Sequence, residues 1–177
     1  MNFEYKHLLP TDFDKSSRVW IYQSNRFFMM SEALTIEEMM EDFINNWKTH
    51  GEVVKGYANM FFGQFIIIMA DESRAGVSGC STDSSVRLIK LIEEKFKVDM
   101  FNRQNLAFVQ KEKVQLIPLS QLSYAYENDF INGDTIYFNN LVNNKKELET
   151  KWMIPLKESW LVKKISMDIY HKPLIKK

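Results

Sequence analysis

Residues 71–87, DESRAGVSGCSTDSSVR, concentrate the reactive side chains: the chain's only cysteine, six hydroxyl groups, three carboxylates, two arginines and two of the six glycines. A Gly- and Ser-rich loop that feeds a helix leaves backbone N–H groups unpaired at the positive end of the helix dipole, where an anion is received. Gly76 and Gly79 supply the positive φ that such a nest often needs, and Arg74 and Arg87 add charge-assisted hydrogen bonds. The ligand-binding set expected here is Arg74, Ser78, Gly79, Ser81, Thr82, Asp83, Ser84 and Arg87. Two features oppose an anion. Thr82 or Asp83 is also the expected N-cap of the following helix, and Asp71 and Glu72 repel negative charge.

Cys80 stands three residues before Asp83, where a helix dipole lowers a thiol pKa. A thiolate nucleophile needs a base, and the histidines are His7, His50 and His171. If the first strand runs up and the first helix down, His50, Asp71 and the start of the second helix share the lower end of the sheet. The catalytic set this implies is Cys80 as nucleophile, His50 as base, and Asp71 or Asp83 as the carboxylate that orients it. The competing reading makes Cys80 a small packing residue and His50 a helix C-cap.

The elements that must position these groups follow from periodicity. Arg18–Ser24 is β-branched and aromatic and reads as a strand. Ile36, Met39, Met40, Phe43, Ile44 and Trp47 recur at steps of three and four, one face of a helix. Thr35 with Glu38 forms its capping box and Gly51 its stop. Two strands follow, GEVVKGYANM and FFGQFIIIMAD, broken at Ala58 and Asn59, the second the more buried. Val86, Ile89, Ile92 and Phe96, widened by Leu88 and Leu91, predict a second helix, and residues 98–101 a short strand. The order strand, helix, strand, strand, helix, strand is that of an α+β, ferredoxin-like βαββαβ core over residues 17–101. Residues 1–15 read as an irregular lead-in.

Residues 102–177 read as a C-terminal α/β extension of the same single domain, since no linker, repeat or low-complexity tract separates them. LAFVQ and VQLIPL predict strands flanking KEK; SQLSYAYENDFI predicts a helix stopped at Asn132–Gly133; DTIYFNNL predicts a strand; Asn144 with Glu147 begins a helix to about Trp152. Tyr124, Tyr126 and Phe130, with Trp152 and Trp160, offer either core or an exposed aromatic surface.

Composition narrows the function classes. With 45% hydrophobic and 14% aromatic residues the chain builds a core rather than a disordered or disulfide-scaffold protein. Equal numbers of basic and acidic residues, 23 each, give no global attraction to nucleic acid, so none is expected as a partner. One cysteine makes no internal disulfide, the N-terminus lacks the basic start and apolar run of a signal peptide, and MFFGQFIIIMA falls short of a membrane span. A cytoplasmic location without membrane insertion is expected. Three scattered histidines and one cysteine predict no N/S metal site, and Asp71, Glu72 and Asp83 are better solvated or capping than ligating. No metal or other cofactor is expected.

The segments SRVWIYQSNR, WKTHG, SGCSTDSSVR and ESWL resemble a family of small bacterial proteins labelled "ABC transporter ATPase", over residues 17–162. The resemblance brings no catalytic residues with it. The phosphate loop G-x-x-x-x-G-K-[ST] that ATP chemistry requires is absent from this sequence. The sequence therefore predicts a small anionic-ligand-binding protein using the 71–87 loop, with thiol chemistry at Cys80 as an added expectation. The alternative is a non-catalytic interaction or oligomerisation module, with a homo-oligomer or another protein as partner.

Overall fold

The computed structural model describes residues 2–49, 51–71 and 79–170, at backbone level only for 79–82 and 167–170. In chain order its elements begin β1 (Arg18–Gln23), α1 (Met30–Asn46), β2 (Lys48–Thr49), β3 (Glu52–Val53), β4 (Lys55–Phe61), β5 (Phe65–Asp71) and α2 (Gly79–Phe96). They continue with β6 (Asn105–Gln110), β7 (Lys113–Pro118), α3 (Leu122–Glu127), β8 (Ile136–Phe138), α4 (Lys145–Lys151), β9 (Met153–Pro155) and α5 (Leu161–Tyr170). The architecture is mixed α+β with antiparallel sheets. Two units emerge, one of residues 1–102 with 140–151 and one of 103–139 with 152–177. The segment containing α4 belongs to the first unit, although it follows most of the second in sequence.

In the first unit β5 lies between β1 and β4 and is antiparallel to both. FIIIMAD shows no polar alternation because both faces of β5 are covered, and all seven residues are buried. Ile66, Ile68 and Ala70 pack with Ile36, Met40 and Trp47 of the α1 segment and with Leu88, Ile89 and Ile92 of α2. On the other face the lead-in does the covering. Tyr5 sets its ring edge-on to Phe61 (6.4 Å) and Phe13 does the same to Tyr57 (6.4 Å). Tyr5 Oη donates to Leu148 O of α4 (2.6 Å), and burial pushes this hydroxyl's pKa up to about 12. The lead-in is thus part of the core.

Several boundaries differ from expectation for local reasons. Helix α1 starts at Met30 rather than Thr35, because the Glu32 carboxylate accepts the Met29 N–H (2.7 Å) and a two-pronged contact from Arg26 (2.8 and 2.9 Å). Thr35 instead bonds back to Ser31 O (3.2 Å). The helix ends at Asn46, and Gly51, at φ +87°, lies between β2 and β3. Ala58 and Asn59 lie inside β4, and the reversal falls at Phe62–Gln64, where Gly63 has φ +63°. Residues 98–101 form no strand. Asp99 Oδ1 accepts the Phe101 (3.2 Å) and Asn102 (3.1 Å) N–H groups, curling the chain out of an extended path. The sheet of this unit is three-stranded among the described residues.

In the second unit the order is β7-β6-β8-β9, with β7 and β9 at the edges. Leu106, Phe108 and Tyr137 pack with Leu122 and Ala125 of α3 and with Leu161 and Ile165 of α5. The KEK hairpin and the helix beginning after Asn144 form where expected, Asn144 Oδ1 accepting the Glu147 N–H (2.9 Å). The helix expected across SQLSYAYENDFI is shorter, closing at Glu127.

Glu32 joins a helix cap to an ion pair, and Arg26 holds its carboxyl below the usual range, followed by the Met29 N–H. A folded pKa below the unfolded one means stabilisation present above the unfolded value, about 4.3, and lost as pH falls through the folded value. Glu32→Gln should lower unfolding stability by about 1 kcal/mol at neutral pH and flatten its decline in acid, as read by urea titrations from pH 3 to 7, roughly spanning that transition.

Candidate functional site

Helices α1 and α2 both pack on the Ile66, Ile68 and Ala70 face of β5. The apolar stripe that buries α2 extends past what the core covers: Leu88 and Ile92 are buried, while Leu91 is 57% exposed. Beside it the end of α1 contributes Met39 and Phe43. Between them runs an open cavity of about 490 Å³. Its described lining combines these apolar groups and Trp47 with Asp42, Asn46, Lys48, Ser84 and Arg87.

Trp47 forms the floor. It is 2% exposed, lies against Phe43 (4.8 Å between ring centroids) and Trp20 (6.1 Å), and its Nε1–H has no hydrogen-bond partner among the described residues. Gly56 of β4 makes this position possible. A Cβ there would lie 2.7 Å from one indole carbon and 3.0 Å from the Ile44 terminal methyl, so the ring rests on bare backbone.

The polar groups around the cavity differ in how far they are already engaged. Asp42 accepts the Asn46 side-chain amide (3.0 Å). Arg87 makes a single long bond from Nε to Asp83 O (3.5 Å), and neither Arg87 nor Lys48 forms an ion pair among the described residues. Both are exposed. One engaged carboxylate and two unpaired cations leave the described lining with an excess of positive charge.

The residues singled out from sequence are distributed as follows. Ser84 and Arg87 line the cavity. Gly79, Cys80, Ser81, Thr82 and Asp83 lie within the first turns of α2 rather than in a loop ahead of it, so neither Thr82 nor Asp83 is its N-cap. The side chains of Cys80, Ser81 and Thr82 lie outside the described part, as do His50, Glu72, Arg74, Gly76 and Ser78 altogether. Asp71 ends β5, and its alternation places it on the face opposite the helices. There it accepts Lys55 Nζ (3.1 Å), which also meets Asp12 Oδ2 (3.0 Å) and stands over the Phe13 ring at 4.7 Å. The Asp12 hydrogen bond, with Asp71 adding to it, raises the Lys55 pKa. Asp71 thus joins a clamp on the lead-in, away from Ser84 and Arg87.

The contribution of α1 was not legible as a site. Phe43 and Trp47 read as core, and the signal that could have pointed further is polar: Asp42, Asn46 and Lys48 interleave with them at the end of the helix. Among the described residues no group of three His, Cys, Asp or Glu side chains is placed to hold a metal, and no helix is long and apolar enough to cross a membrane. Comparison with protein-family models, with curated proteins and with solved structures finds no match.

Gly56→Ala should force Trp47 off its seat. The expected loss is about 1–3 kcal/mol in urea unfolding, the range for overpacking a filled site, together with a changed tryptophan emission in the folded state. An unchanged midpoint and spectrum would show that the ring does not depend on this glycine.

Proposed function

We propose that the first unit binds a small amphipathic anion in the cavity between α1 and α2. The hydrocarbon or aromatic part lies against Phe43, Trp47, Leu88 and Leu91, and the acid group, a carboxylate or phosphate, meets Lys48 and Arg87. The observation that carries this is the pairing of two exposed cations, free of ion pairs among the described residues, with a largely apolar cavity of about 490 Å³. Small-molecule pockets of about 300–1,000 Å³ are lined in this mixed way, with a few polar groups setting orientation. The Arg87 guanidinium suits a planar or tetrahedral oxyanion better than an ammonium does.

This keeps the sequence expectation of an anionic ligand but moves its centre from the 71–87 loop to the helix pair, retaining Ser84 and Arg87. Within this reading the unit is a ferredoxin-like core that uses its helical face. The support is the split βαβ order, with the helices on the β5 face that carries Ile66, Ile68 and Ala70. The reading includes no reaction step, and the resemblance to the family labelled "ABC transporter ATPase" adds none, since the phosphate loop is absent.

The test is thermal unfolding with a panel of alkyl and aryl carboxylates and phosphates at millimolar concentration. A ligand at 100 times its Kd stabilises by about 2.7 kcal/mol, which raises Tm by roughly 5–10 °C for a chain of this size. Arg87→Ala and Leu91→Asp, both at exposed positions, should leave the unliganded Tm within about 2 °C and abolish most of that rise. A panel with no active member, or a rise unchanged in both variants, would overturn the proposal.

A further inference from the structure

We infer that the second unit docks an extended acidic peptide segment of another protein as an added strand on β7. Strand β7 is an edge of its sheet, paired among the described residues only with β6. The register Gln110 to Lys113 closes a two-residue turn, so residues 113, 115 and 117 exchange their backbone bonds with β6. Leu119 N–H bonding to Gln104 O (2.7 Å) continues that alternation. The N–H groups of Val114 and Leu116 therefore point away from the sheet, toward the position of a further strand. Pro118 has no N–H and ends the run, so the edge admits about four residues of partner.

A cavity of about 590 Å³ lies on this edge. Gln115, Leu116, Ile117 and Pro118 all line it. Successive side chains of a strand point to opposite faces, so a cavity touching four in a row follows the edge rather than either face. Its far wall is aromatic. Tyr124 and Phe130 are each 60% exposed, with rings stacked at 6.4 Å and 27°, and the Gln110 amide fixes Phe130 by donating to its carbonyl. Such a shelf takes an aromatic side chain of the partner.

Charge sets the partner's sign. Lys111 and Lys113 line one end, neither has an ion pair among the described residues, and no carboxylate is found in the described lining. The turn that presents them is unusual: Lys111 (φ 47°) and Glu112 (φ 58°) adopt the left-handed conformations that Asn-Gly would adopt without strain. Backbone bonds thus supply affinity, and the lysines and the aromatic shelf select an acidic segment with an aromatic residue.

The test pans a random heptapeptide phage library on the full chain and measures the enriched peptides, fluorescein-labelled, by anisotropy. Leu116→Pro removes an outward N–H without touching the β6 ladder, and Leu116→Thr keeps it. Enriched peptides should be acidic with an aromatic residue. They should bind about tenfold more weakly to Leu116→Pro and to Lys113→Glu than to Leu116→Thr, as expected for losing one backbone bond or one charge partner. Because Leu116→Pro could unfold the edge, the same peptides with alternate backbone nitrogens methylated are measured on the unaltered protein and should also lose about tenfold. No enrichment, basic consensus peptides, or binding indifferent to both Lys113→Glu and N-methylation would overturn the inference.

Discussion

Burial of β5 on both faces is the constraint from which the first unit follows. Phe65 through Ala70 have no exposed surface, and burying each large side chain contributes about 1.5–3 kcal/mol relative to leaving it in water. A strand of this kind demands a layer on each side. The helices α1 and α2 supply one. The other has to come from elsewhere in the chain, and it comes from both directions: the lead-in with Tyr5, Leu9 and Phe13, and α4, whose Leu148 carbonyl takes the Tyr5 hydroxyl. Lys145 is buried there too, its ammonium bonded to Phe13 O (2.8 Å). The return of residues 140–151 to the first unit is the topological price of a strand with no polar face.

The two faces use cations differently. On the lead-in side Lys55 is shared between Asp12 and Asp71, and its ammonium stands over the Phe13 ring, so its charge is spent inside the fold. On the helical side Arg87 and Lys48 are presented beside exposed or half-buried apolar groups without a carboxylate paired to them in the described part. Fixed positive charge next to uncovered apolar surface is the arrangement from which the proposed binding of an amphipathic anion is argued.

Periodicity made the elements readable, and close competition between local interactions hid their ends. The helix stripe from Ile36 to Trp47, the continuous apolar β5 and the KEK hairpin each carry a pattern with one solution. The start of α1 did not, because two capping arrangements six residues apart compete, and Arg26 tips the choice toward Glu32. VDMF is β-like in composition, yet an aspartate at its second position bonds forward to two backbone N–H groups, an interaction that propensity does not weigh. The cavity between α1 and α2 was half legible. Ser84 and Arg87 stood out by chemistry, whereas Trp47 looked like any core residue until Gly56, nine positions away in sequence, showed why an indole could lie so close to a strand.

How the molecule treats its sheet edges bears on the second unit. In the first unit the outer side of β1 is occupied by its own chain: Val19 N–H bonds to Asn143 O (2.9 Å) and Arg18 bridges with Asn144. That is the usual remedy for an edge that would otherwise recruit foreign strands. At β7 the guards are a lysine at the start and a proline at the end, which bound the edge without covering its middle. An edge limited at both ends, lined by an aromatic pair and charged with one sign resists long, indiscriminate pairing while remaining open to a short segment of opposite charge. In the inferred docking, protection against aggregation and choice of partner rest on the same residue, because Lys113 disfavours a basic strand for the same reason that it favours an acidic one.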